Sequence, residues 1–147
     1  MTTNVRPEQL SYHNHPDLYD RDILAAIPGY KEVHDKMVAA AVNEFRSRPY
    51  SGNPNPIRIL ELGVGTGLTA ERLLSVLPKA HLTGIDFSRA MLDKAVQRLE
   101  KYDAKLILGD HADCPFEEVG MHEGYDLVVA AFGIHHQTNE GKRQLFE

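Results

Sequence analysis

The run Glu61-Leu62-Gly63-Val64-Gly65-Thr66-Gly67 joins a carboxylate to three alternating glycines. Glycine lets the backbone turn tightly and lets a ligand approach the main chain without a Cβ in the way, although the turn's own dihedrals are a sufficient reason for the residues if nothing else accompanies them. The spacing is G-x-G-x-G, and Leu68 stands where a dinucleotide fingerprint needs its third glycine. A carboxylate at Glu61 would repel a pyrophosphate at a helix N-terminus and would attract an ammonium group; the alternative is a solvated strand-end acid. Asp86 follows 21 residues after Gly65, the separation at which an acid meets the ribose hydroxyls of a nucleotide held on the first turn. Phe87 can lie against an adenine face or pack beneath the next helix, and Ser88 reads as a helix N-cap rather than a ligand contact. Gly109-Asp110-His111 offers an acceptor, Asp110, for an adenine amino group. Glycine turn, ribose acid and third acid in chain order point to a nucleoside with a cationic tail.

The elements that must position these residues alternate. Ile57 to Leu62, Ala80 to Asp86, Lys105 to Gly109 and Tyr125 to Ala131 read as strands, with apolar-striped helices through Leu68, Leu73, Leu74 and Leu77 and through Met91, Leu92, Ala95, Val96 and Leu99. The fourth is almost continuously apolar, as befits a strand covered on both faces. Such alternation predicts an open α/β domain with a parallel sheet and right-handed crossovers. Thr138 is placed to cap a last helix. Ahead of this lie two helices, one from Asp17 as N-cap with Leu18, Ile23, Leu24 and Ile27, the other with Val33, Met37, Ala41, Val42 and Phe45 on one stripe. A Pro-rich loop from Ser47 to Pro56 separates them from the rest. The expected division is a helical lid over residues 1–56 and a binding core over residues 57–147.

Composition narrows the functional classes. The 147 residues are 42% hydrophobic and 25% charged, ordinary globular usage, and the formal charge of -5 argues against a nucleic-acid partner. Leu127 to Ile134, the longest apolar run, is far short of a bilayer span, so no membrane association is expected. Cys114 is the only cysteine, which fits a reducing cytoplasm and excludes an internal disulfide; beside Pro115 it reads as small packing. His13 and His15 have a metal-capable spacing but no third ligand nearby, so no metal site is expected.

The motifs Glu61 to Gly67, Gly84 to Ser88, Leu108 to Phe116 and Tyr125 to His136 together resemble the nucleotide-binding half of the class I S-adenosylmethionine-dependent methyltransferases. The resemblance implies a Rossmann-like sheet of order 3-2-1-4 with helices on both faces, four strands of the family's seven. It implies S-adenosylmethionine as cofactor, with Glu61 and Gly67 among the residues that bind it, Gly63 and Gly65 at the methionine part, Asp86 at the ribose, Phe87 at the adenine, and Asp110 with the His111 main chain at the adenine edge. Tyr19-Asp20-Arg21 with Ile27-Pro28-Gly29-Tyr30 is similar to the segment ahead of the core in the carboxy-S-adenosylmethionine synthase group, which would bring Tyr30 to the cofactor or, alternatively, leave it as a plug at the core edge. Ala131 stands where the synthases have asparagine, so methyl transfer rather than synthase activity is the expectation. His135 and His136, past the fourth strand, are candidate general bases for a small-molecule acceptor, with helix-start packing as the alternative. The missing strands imply a homo-oligomer or a further C-terminal portion covering the fourth strand. Two other functions fit less well: a nicotinamide-dependent oxidoreductase, which the glycine spacing disfavours, and a non-catalytic nucleoside-binding or interaction module.

Overall fold

The computed structural model describes residues 15–47, 56–110, 124–134 and 137–146. His13, most of the Pro-rich loop, His111, Cys114, His135 and His136 lie outside the described residues. Four strands, β1 (Arg58–Leu62), β2 (His81–Asp86), β3 (Ala104–Leu108) and β4 (Leu127–Val129), form one parallel sheet in the order β3-β2-β1-β4. Ile59 sits opposite both Leu82 and Leu127, and Asp86 opposite Leu108. The ladder continues past the strands through Gly63 N to Ile85 O (2.8 Å) and Gly109 N to Asp86 O (2.9 Å). That register brings the glycine turn, Asp86 and Gly109 to one edge of the sheet.

Side chains alternate across a strand, so β1 feeds two cores. Ile59, with Leu82 and Val129, faces a cluster completed by Ala41 of α2 (Tyr30–Ser47), Ala70, Leu73 and Leu74 of α3 (Leu68–Val76), and Leu92 and Leu99 of α4 (Arg89–Leu99). Ile59, Leu73, Leu74 and Leu82 are fully buried, and each such side chain stabilises the fold by about 1.5–3 kcal/mol. Leu60, Leu62 and Ile85 form the opposite cluster, against which Ile107, Tyr125, Ala130 and Leu145 of α5 (Asn139–Phe146) pack. This second face is the thinner: Val128 remains 58% exposed, and β4 is shorter than its apolar run from Tyr125 to Ala131 predicts.

Side-chain caps set two of the helix starts. The Ser88 hydroxyl accepts from Met91 N and caps α4, and the Thr138 hydroxyl accepts from Gly141 N at the start of α5. Helix α1 (Pro16–Ala26) starts differently from expectation. Pro16 occupies its first turn, His15 is the N-cap without a side-chain bond, and Asp17 is a first-turn acid facing the helix dipole rather than the cap. Two stripes differ from expectation, one by rotation and one at a single residue. In α2, Tyr30, His34, Ala41 and Phe45 are buried while Val33 is 51% exposed, because His34 finds hydrogen-bond partners and takes the inward place. In α4, Met91, Leu92, Ala95 and Leu99 of the expected stripe are buried, and only Val96 departs from it, at 56% exposed.

Gly63 has φ +73°, and a Cβ there would lie 3.1 Å from Gly133 Cα. Gly63→Ala is expected to lower the unfolding free energy by about 1–3 kcal/mol. Gly109, at ordinary φ with open space around it, should accept alanine with no loss and a gain of up to about 1 kcal/mol. Urea unfolding of both variants checks the pair, and equal destabilisation would contradict the geometry.

Candidate functional site

The glycine turn leaves β1 under backbone constraint. Gly63, Gly65 and Gly67 all have positive φ, of 73°, 56° and 83°. At Gly67 a Cβ would also meet Leu99 Cδ1 at 3.3 Å and Ala95 Cβ at 3.4 Å, so the same residue lets α4 pack close to the turn. The turn is pinned from β2: Asp86 Oδ2 accepts from Gly65 N at 2.8 Å, and its Oδ1 accepts from Ser88 N at 2.9 Å. Asp86 is 6% exposed, and each of its oxygens has a second lone pair beyond these bonds.

Glu61 is the unusual group. It is 1% exposed, and its Oε2 has no hydrogen-bond partner. The solvated alternative is thereby overturned, because alternation turns Glu61 to the same face as Ile59, beneath the helices. Burial pushes its carboxyl well above the ordinary range, and the neighbouring Asp86 carboxylate pushes it in the same direction. A proton or an external cation relieves both costs.

Tyr30 is 6% exposed at the start of α2. Its ring stacks on Phe132 at 5.4 Å between centroids and 17° between planes, and it lies 4.1 Å from the His34 ring. Burial raises the Tyr30 phenol pKa, as it does more strongly for Tyr19 of α1, which also feels Tyr30, Asp20, Asp86 and Glu61. His34 Nδ1 is 2.8 Å from Tyr30 O, and a carbonyl can only accept, so Nδ1 carries the hydrogen; Nε2 meets the Thr69 hydroxyl at 2.9 Å. Phe132, just past β4, holds a left-handed φ of 57°, a conformation that costs a side-chain-bearing residue about 1 kcal/mol or more.

The structure thus brings Glu61, Gly63, Gly65, Gly67, Asp86 and Tyr30 to one end of the sheet. Phe87 follows Asp86 and is 48% exposed. Asp110, at the tip of β3, is exposed and accepts from Gln137 Nε2 at 2.8 Å. His111, His135 and His136 are outside the described residues. Tyr19, His34, Phe132 and Gln137 are neighbours that the sequence reading did not single out as site residues. Only His34 left a usable signal, since it falls at helical spacing from Tyr30, Ala41 and Phe45. Among the described residues no three His, Cys, Asp or Glu side chains are grouped to hold a metal ion, and no helix is long and apolar enough to cross a membrane.

The raised Glu61 pKa makes stability depend on pH. An acid whose folded value is raised contributes stability at low pH and loses it as pH climbs through that value. Glu61→Gln, which cannot ionise, should match the parent near about pH 5 and exceed its stability near about pH 8. Melting temperatures at the two pH values test this, and equal stability at the higher one would contradict it.

Comparison with known proteins agrees with this geometry. The family model of a methyltransferase domain matches residues 59–147. The malonyl-[acyl-carrier protein] O-methyltransferase of Bacillus anthracis is 36% identical over 101 residues, covering 69% of this chain and 35% of that protein. Among solved structures, the CurJ carbon methyltransferase aligns with a TM-score of 0.75 at 23% identity, over 97% of this chain and 37% of the other. The plantazolicin methyltransferase BpumL, solved in complex with SAH, aligns with a TM-score of 0.64 at 19% identity, over 98% and 48%. These matches lend no support to a nicotinamide-dependent oxidoreductase or a non-catalytic module. The chain spans about a third to two fifths of the length of curated relatives it matches, at 35%, 38% and 42%. With the sheet order, the glycine turn and the matched residues in agreement, the chain belongs to the methyltransferase domain family, the class I S-adenosylmethionine-dependent methyltransferases.

Proposed function

We propose that this chain carries the cofactor-binding part of an enzyme that transfers a methyl group from S-adenosylmethionine to a small-molecule acceptor. The observation that carries this reading is the buried, unpartnered Oε2 of Glu61 beside Asp86 at the glycine turn. A cationic nucleoside is the ligand that such a site suits: an ammonium group answers Glu61, and hydroxyls answer the open lone pairs of Asp86. Bare backbone at Gly63 and Gly65 admits the methionine part. Tyr30 lies against the cofactor, Phe87 offers a ring face to the adenine, and Asp110 accepts from the adenine amino group, with the His111 main chain at the same edge.

When bound, S-adenosylmethionine supplies a sulfonium methyl group for in-line displacement. What the protein adds is chiefly alignment of the acceptor within near-attack distance, and exclusion of water by the helices of residues 1–56, which we read as the site's lid. His135 or His136, following β4, takes the acceptor's proton where one must leave. The helical lid suits a small acceptor, the acidic charge speaks against a nucleic-acid one, and Cys114 as the sole cysteine fits a cytoplasmic setting.

Calorimetry with S-adenosylhomocysteine and S-adenosylmethionine tests the reading. Both should bind, and NADH should not. Asp86→Ala should weaken binding by on the order of 1.5–3 kcal/mol, the value of hydrogen bonds to a charged group. Because binding favours ionised Glu61, the parent should release a proton on binding S-adenosylmethionine and bind it more tightly as pH rises from about 5 to about 7. Titration in buffers of different ionisation enthalpy reads that proton, and Glu61→Gln should abolish it. NADH binding without affinity for either sulfur nucleoside would end the proposal.

A further inference from the structure

Helix α1 is held to the protein in an unusual way. None of its side chains is buried, Leu18 and Leu24 on it are 41% and 56% exposed, and its 11 residues fall below the roughly 12–15 that sustain an isolated helix in water. Polar contacts from its acidic side do much of the fastening. Asp17 meets Lys94 Nζ, but the Asp17 side chain is 81% exposed and such a pair contributes little. Asp20 is different: it accepts from the Thr66 hydroxyl and from Arg98 Nη2, and both charged side chains are only about a fifth exposed.

Arg98 does more than pair with Asp20. From α4 its Nε donates to Thr66 O at 2.9 Å, and its Nη1 donates to Glu71 Oε2 at 3.2 Å in the first turn of α3. One guanidinium therefore ties together α1, the glycine turn and α3. Thr66 itself is 1% exposed and lies inside the Gly63–Gly67 turn. Asp20 is the immediate neighbour of Tyr19, so the contact that anchors α1 also fixes where that tyrosine stands. Three donors in a rigid plane are what this junction uses, and a lysine ammonium cannot reproduce their arrangement.

We propose that Arg98 is a positioning residue for cofactor retention: through Asp20 and Thr66 it fastens α1 to the glycine turn, and the cofactor leaves when this junction opens. The inference rests on the reading of the glycine turn as the S-adenosylmethionine site. Arg98 touches no ligand and acts through the two residues it holds. A junction of this kind weakens with ionic strength, because part of its strength is charge attraction at a partly exposed site.

The test is the dissociation rate of S-adenosylhomocysteine, measured by stopped flow at low and high salt on the chain and its variants. Asp20→Ala leaves the apolar cores untouched, and Arg98→Met keeps the aliphatic stem. Each should raise the dissociation rate by about ten-fold, since losses of this kind fall mainly on the off-rate. The double variant should go no faster than Asp20→Ala, which already removes both bonds from α1 to the junction, Arg98→Lys should recover only part of the loss, and the parent's acceleration by salt should vanish in Arg98→Met. A merely structural arginine would lower the melting temperature and leave the salt dependence in place. Unchanged rates, additive effects or a persistent salt dependence in Arg98→Met would overturn the proposal alone. A parent chain that fails to bind S-adenosylhomocysteine would overturn the functional reading first, and the junction's role with it.

Discussion

Two carboxylates are withdrawn from water on the ends of adjacent strands, and the architecture around them follows from how differently they are satisfied. Asp86 receives two backbone N–H groups, one from the glycine turn and one from the start of α4, so its charge is both compensated and used to fix the loop. Glu61 has an oxygen with no partner and an acid beside it. Burying an unpaired charge is among the costlier arrangements available to a protein, and proteins that keep one need something to answer it. In the function we propose, an outside cation is that answer. The sheet register sets the two acids at one edge, the glycines leave the main chain bare between them, and the aromatic group of Tyr30, His34 and Phe132 closes the neighbouring side.

Much of this was legible in the sequence because it is local. Glycines that need positive φ, a serine that caps a helix three residues before the N–H it serves, and strands bounded by turns are written within a few positions of where they act. The parallel order followed from alternation of strand and helix. What could not be read depends on partners far along the chain. Glu61 looks the same in sequence whether it faces water or α2. His34 takes the inward place from Val33 because Thr69, 35 residues away, meets its ring. Asp20 and Arg98 stand 78 residues apart and have no pattern that would pair them. The fourth strand was overestimated for a related reason: apolar residues promise burial, but the cover over Val128 has to come from elsewhere.

The two layers of the molecule are held by unlike forces. The sheet with α2, α3 and α4 is packed through fully buried aliphatic side chains, which resist local opening. Helix α1 has no such anchor and depends on polar junctions that water and salt compete for. The glycine turn is thus bordered by one rigid wall and one weakly attached one.

At the tips of β1 and β4 the chains meet without any side chain between them. A Cβ on Gly133 would sit 3.0 Å from Leu62 O and 3.3 Å from Gly63 Cα, so the two backbones are in direct contact. Side chains in most interfaces absorb small displacements by changing rotamer, and here there is none to do so. A shift of the segment after β4 is therefore passed directly to the glycine turn, and the two strand tips are mechanically one.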